Sequence, residues 1–124
     1  MPFEVSRHVA ELIALHDFPE SDWKVFREIR ELALERFSTR ALEDLQPILR
    51  DASRSHHERY LEVFRFLQAR DEELAHAFNN QRRSRMIVQL AAIHAYGLLE
   101  PHELERFTAR TRATIESLAK EFAG

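Results

Sequence analysis

Cysteine is absent from the 124 residues, which excludes disulfides and thiolate metal sites and is neutral between reducing and oxidising compartments. Glycine occurs twice and proline four times, too little turn chemistry for a multi-stranded sheet with a hairpin at every reversal. No apolar run approaches the ~18 residues of a membrane span, so no membrane association is expected. The opening stretch MPFEVSRHVAELIALHDF lacks the apolar core of a signal peptide and carries Glu4, Arg7, His8 and Glu11, which points to a cytoplasmic protein. Neither sign of charge dominates. The net charge is −3, with nine basic and thirteen acidic side chains in residues 1–62 against nine and eight in residues 63–124. Such a balance gives no general attraction to nucleic acid or anionic lipid.

What is present is apolar and helix-forming. Hydrophobic residues are 44% and charged residues 31% of the chain, the proportions of a globular protein, and 124 residues suffice for a single domain over 1–124 with one core. Leu, Ala, Glu and Arg dominate, so the fold class is all-α. Sixteen of the eighteen basic residues are Arg, which on composition alone reads as codon usage in a GC-rich bacterial genome.

Apolar periodicity divides the chain into helices. Val5, Val9, Leu12, Ile13 and His16 mark a helix over 3–16, stopped by Asp17-Phe18-Pro19 because proline disfavours the α conformation in the residue before it. Ser21 or Asp22 caps a second helix running to Phe37, with Val25, Phe26, Ile29, Leu32 and Ala33 on its stripe. Ser38-Thr39 reads as a break. The line Leu42, Leu49, His56, Tyr60, Val63, Leu67, Leu74 and Phe78 then favours one long stretch over 39–78, kinked at Pro47 or reopened by the Ser55–Glu58 capping box. Asn79-Asn80 end it. Residues 82–96 are apolar nearly all round, which makes them the central helix, closed by Gly97. Pro101 opens a last helix with a seam of Leu104, Phe107, Thr111, Ile115, Leu118 and Phe122. The expected architecture is an antiparallel bundle of five to six helices.

Few constellations carry chemistry. Glu73-x-x-His76 has the spacing of half a di-iron site, but no second such pair exists, and the helix stripe turns Glu73 toward solvent. His56 and His57 diverge by about 100° on a helix and cannot readily share one ion. No metal and no cofactor are therefore expected. Arg82, Arg83 and Arg85 stand at a helix start, against the macrodipole. The following helix–turn–helix-like segment opens with Pro101-His102-Glu103-Leu104-Glu105, acidic where phosphates would lie, so a DNA-contacting regulator ranks third among functions. No phosphate loop, nucleophile elbow or HExxH occurs.

Asp71 is the exception to the pattern. On the wheel it falls between Leu67, Leu74 and Phe78, the expected centre of a buried stripe, where a carboxylate needs a partner. Arg83 is the expected partner in a buried pair, with His94 the next candidate; the alternative is an Asp71 only half buried at the bundle end. The expected function is non-enzymatic, acting through protein–protein contact, with a homodimer as the simplest form. The motive is the apolar surface of Trp23, Phe64, Phe66 and Tyr96, and Phe64 and Phe66 point about 160° apart on one helix. The alternative is a small-ligand-binding or hydrolytic bundle using His16, His56, His94 and Asp71 in an internal cavity.

Overall fold

The computed structural model describes residues 18–123, all helix, turn and loop with no strand among them. Helix α1 spans Glu20–Arg50, α2 His56–Phe78, α3 Met86–Ala95, α4 Pro101–Leu104 and α5 Ala109–Ala123, with a 3₁₀ turn at Arg83–Arg85 leading into α3. The all-α class expected from composition is what forms. The stripe over 3–16, His16 included, lies outside the described residues.

The expected break at Ser38-Thr39 does not occur. The Ser38 hydroxyl donates to the Leu34 carbonyl and the Thr39 hydroxyl to the Glu35 carbonyl, both at 2.9 Å, so each satisfies its polarity inside the helix and α1 continues for 31 residues. The chain breaks instead at 51–55, within the stretch expected to be one helix over 39–78. Asp51 accepts the Ser53 N–H (3.1 Å) and hydroxyl (2.5 Å) in a tight turn. Ser55 and Glu58 then exchange side chain-to-backbone bonds at 3.1 and 2.9 Å, the capping box that opens α2. Periodicity runs across this turn only because both helices keep an apolar stripe. The chain reverses, and α2 returns antiparallel along α1: Arg59 reaches the Leu49 carbonyl near the turn (2.9 Å), while Phe37 and Phe78 meet edge to face farther down (5.9 Å).

Asn80 takes the left-handed conformation (φ 55) after α2, as an Asn at a helix end readily does. Gly97 (φ 70) closes α3, with its N–H on the His94 carbonyl and the Leu98 N–H on the Ile93 carbonyl. Helix α3 is central: Met86, Ile87, Gln89, Leu90, Ala91, Ala92 and Ile93 are all buried. Against it pack Phe26, Ile29, Ala33 and Phe37 of α1, Ala77 and Phe78 of α2, then Leu98, Phe107 and Ile115. Leu118 and Ala119 of α5 form a smaller cluster with Ala91.

The expected single helix from Pro101 is split at 105–108. Asp22, in the first turn of α1, is 1% exposed and accepts the Thr108 N–H (3.0 Å), the Thr108 hydroxyl (2.8 Å) and the Thr111 hydroxyl (2.5 Å). A carboxylate placed there satisfies orphan donors at the start of α5 and complements its positive end, so the helix starts afresh.

The core occupies one end of the molecule. No residue from Ser38 to His76 is fully buried. The outer part of α1 and most of α2 therefore form a two-helix arm standing clear of the body.

Candidate interaction surface

The structure disperses the residues on which the sequence focused. Asp71 is exposed on α2, not buried. Arg83 pairs with Glu20 and lies over the Trp23 ring, 5.5 Å from its centroid, with its side chain 61% exposed. The expected buried Asp71–Arg83 pair is thus not formed: Glu20 supplies the charge that relieves Arg83 at the helix start, and Asp71 sits on a stripe with nothing over it. His56 is exposed at the first position of α2, at the tip of the arm. His94 is half-buried on α3, with a buried Nδ1 that finds no hydrogen-bond partner among the described residues. His56, His94 and Asp71 therefore line no common cavity.

Glu73 also differs from expectation. It lies half-buried at the base of the arm, 3.1 Å from Arg70, rather than on a wet outer face. Both line a cavity of about 80 Å³ with Phe37, Arg40, Asp44, Tyr96 and Leu98. Burial and, second, the Glu73 carboxylate push the Tyr96 phenol above its ordinary pKa, while Arg70 partly offsets this. Two cations and two anions balance there, and the space holds only two or three waters at about 30 Å³ each. Among the described residues no three His, Asp or Glu side chains converge as metal ligands, and no helix is long and apolar enough to cross a membrane.

Among the described residues the buried carboxylates are Asp22 and Glu103, neither of which the sequence marks as buried. Glu103, 4% exposed at its side chain, takes a two-pronged contact from Arg36 at 2.6 and 2.9 Å and accepts the Glu100 N–H. Arg36 holds the Glu103 carboxyl below the usual carboxylate range, chiefly through that hydrogen bond and against the opposing effect of burial. The same guanidinium donates to the Leu98 carbonyl at 2.9 Å. The signal available in the sequence was weak: Asp22 reads equally as an ordinary N-cap, and Glu103 as an outward acidic residue of a first turn.

Of the four side chains expected to expose apolar surface, three are partly covered. Trp23 packs on Phe26 (5.5 Å), Tyr96 on Phe122 (6.2 Å), and Phe66 lies under the Arg70 guanidinium (5.3 Å). Phe64 alone stands well out, 54% exposed. It has company: Leu42 and Leu49 on α1 are 62% and 48% exposed, and Tyr60 and Leu67 on α2 are 66% and 45% exposed.

These residues form one face. At about 100° per residue, Leu42, Leu45 and Leu49 lie within about 60° on α1, and Tyr60, Phe64 and Leu67 within about 60° on α2. Each stripe is turned about 100° from its helix's seam with the other, in the same rotational sense. Because the helices are antiparallel, equal rotation brings both stripes to the same side of the arm. Phe26, Ile29 and Ala33 project from the opposite side of α1, so the body stands behind this face and does not obstruct it. No protein-family model, curated protein or solved structure matches the chain.

Proposed function

We propose that the protein is a non-enzymatic interaction module that works by presenting the apolar face of the α1–α2 arm to another protein. The observation that carries this reading is the exposure of Leu42, Leu49, Tyr60, Phe64 and Leu67 side by side on one two-helix surface. By the usual side-chain areas this is on the order of 500 Å² of apolar surface, as large as the biggest patches on typical monomers, which are often functional. Phe64 sits at the centre of the α2 stripe, as interface anchors do. The enzymatic alternative finds no support in the positions of His56, His94 and Asp71. The acidic opening of α4 and the pairing of Arg83 with Glu20 likewise do not favour the DNA-contacting alternative.

The test is cross-linking in cells of the native organism, comparing the wild type with Phe64→Glu. Phe64 is solvent-facing in the isolated chain, so the variant is expected to keep its helical circular dichroism while losing a protein cross-linked to the wild type. Recovery of the same cross-linked species from both would remove the arm face from the function.

A further inference from the structure

Resting on that reading of the arm, we infer that the occupant of the apolar face is a second copy of this chain. The two arms pack face to face and tip to base as an antiparallel four-helix arrangement about a two-fold axis.

The chemistry of the face favours self-association. Between Leu42 and Leu49 on α1, and between Tyr60 and Leu67 on α2, every side chain turned outward on the stripe is uncharged. A face without charge offers no complement to an acidic or basic partner and is complementary to itself, as a two-fold interface requires. Its extent is adequate. With the flanks from Glu35 on α1 and from His57 to Asp71 on α2 included, two helices side by side over about fourteen residues cover about 20 Å by 20 Å. Opposing two such rugged faces removes about 1,200–1,600 Å² from water, the range of a specific stable interface. Two-helix layers stacked in this way reproduce the packing of a four-helix bundle.

The polar groups at the two ends of the face select the orientation. His56 and His57 flank the stripe at the tip, and His57 stacks on Tyr60 at 6.3 Å. Asp71 on α2 and Glu31 and Glu35 on α1 continue the two stripes at the base, and all of these are exposed. The stripe on α2 centres between Val63 and Phe64; His57 lies about 10 Å from that centre toward the tip and Asp71 about 11 Å toward the base. A two-fold axis through the centre and across the arm sets α2 against α2 of the second copy, His57 over Asp71, twice. The other two-fold arrangement, tip to tip, sets Asp71 against the Leu42 end of α1 of the second copy, where the stripe carries no basic group to meet it.

Light scattering and sedimentation equilibrium of the full chain test this. The wild type is expected at twice 14.7 kDa at tens of micromolar protein. Phe64→Glu, carried by both copies, is expected to weaken association roughly 100-fold or more with unchanged helicity. Asp71→Lys and His57→Glu are each expected to weaken it roughly threefold to tenfold, and the double variant to regain wild-type affinity because the swapped charges meet between copies. A double variant no better than its parents would overturn the tip-to-base pairing. A wild type at 14.7 kDa would overturn self-association altogether; the broader reading then survives only if a different protein cross-links to the wild type and not to Phe64→Glu, and it fails too if none does.

Discussion

At the scale of residues, arginine has a structural use that composition attributes to codon usage. Arg59 donates to the Leu49 carbonyl at the end of α1, and Arg30 to the Phe78 carbonyl at the end of α2. Arg40 takes the Tyr96 and Gly97 carbonyls beyond α3, Arg36 the Leu98 carbonyl, and Arg112 the Glu105 and Phe107 carbonyls beyond α4. Four helix ends thus direct their unpaired carbonyls at guanidinium groups, which carry several donors on a rigid plane and suit the negative end of the dipole. Lysine, a single ammonium, does not bridge two carbonyls or a carbonyl and a carboxylate in that way. Replacing Arg36 by alanine strands the nearly dry Glu103. Because Arg36 is itself 29% exposed, the expected loss is about 2–3 kcal/mol at pH 7, less than the 3–5 of a fully dry pair. Glu103 titrates lower in the folded chain than in the unfolded one, so its contribution is fully present above the usual carboxylate range, about pH 4.3, and is lost as pH falls through the depressed folded value. Urea midpoints between pH 7 and pH 3 are therefore expected to fall less steeply in Arg36→Gln than in the wild type; equal slopes would detach Glu103 from the acid response. For Asp71 and Arg83 a double-mutant cycle is expected to be additive within about 0.5 kcal/mol, since Arg83 pairs with Glu20 and Asp71 is exposed.

At the scale of elements, the helices and the central place of residues 82–96 were legible because apolar spacing and caps act locally. The joints were less so. Ser38-Thr39 looks like a break only if their hydroxyls are assumed to compete with the helix, whereas both bond back to the preceding turn. The break that does occur needed the Ser55–Glu58 box to outweigh a stripe running from Leu42 to Phe78, and local pattern cannot weigh a cap against the packing gained when α2 folds back on α1. Nor does periodicity tell which partner covers a stripe: Leu67 and Asp71 share a face as expected, but that face looks away from the core. The splitting of the last helix was illegible for a different reason, because its cause, Asp22, is 86 residues away from Thr108. Ser55→Ala is expected to cost about 1 kcal/mol in thermal or urea unfolding, with the loss concentrated in the first turn of α2 in amide exchange. No measurable change would mean that the turn, not the cap, sets the boundary.

At the scale of the whole molecule, the core end and the arm are stabilised unequally. Helix α3 is enclosed by α1, α2 and α5, whereas residues 38–76 contain no fully buried side chain. In dilute protein, amides of Leu90 to Ile93 are expected to exchange only on global unfolding, and those of the arm through openings of lower free energy. Uniform protection across both would refute this division. The contact of Asp22 with Thr108 and Thr111 carries a consequence for synthesis. The opening turn of α1 and the opening turn of α5 finish each other, so the first helix of the described chain is completed by its last. A chain emerging from the ribosome carries Phe26, Ile29 and Ala33 bare until α3 has followed and incompletely covered until Phe107 and Ile115 have, and closing so long a loop is slow relative to forming the helices themselves. During that interval the nascent chain exposes two apolar surfaces, the future core of α1 and the arm face, and only one of them will be withdrawn by its own folding.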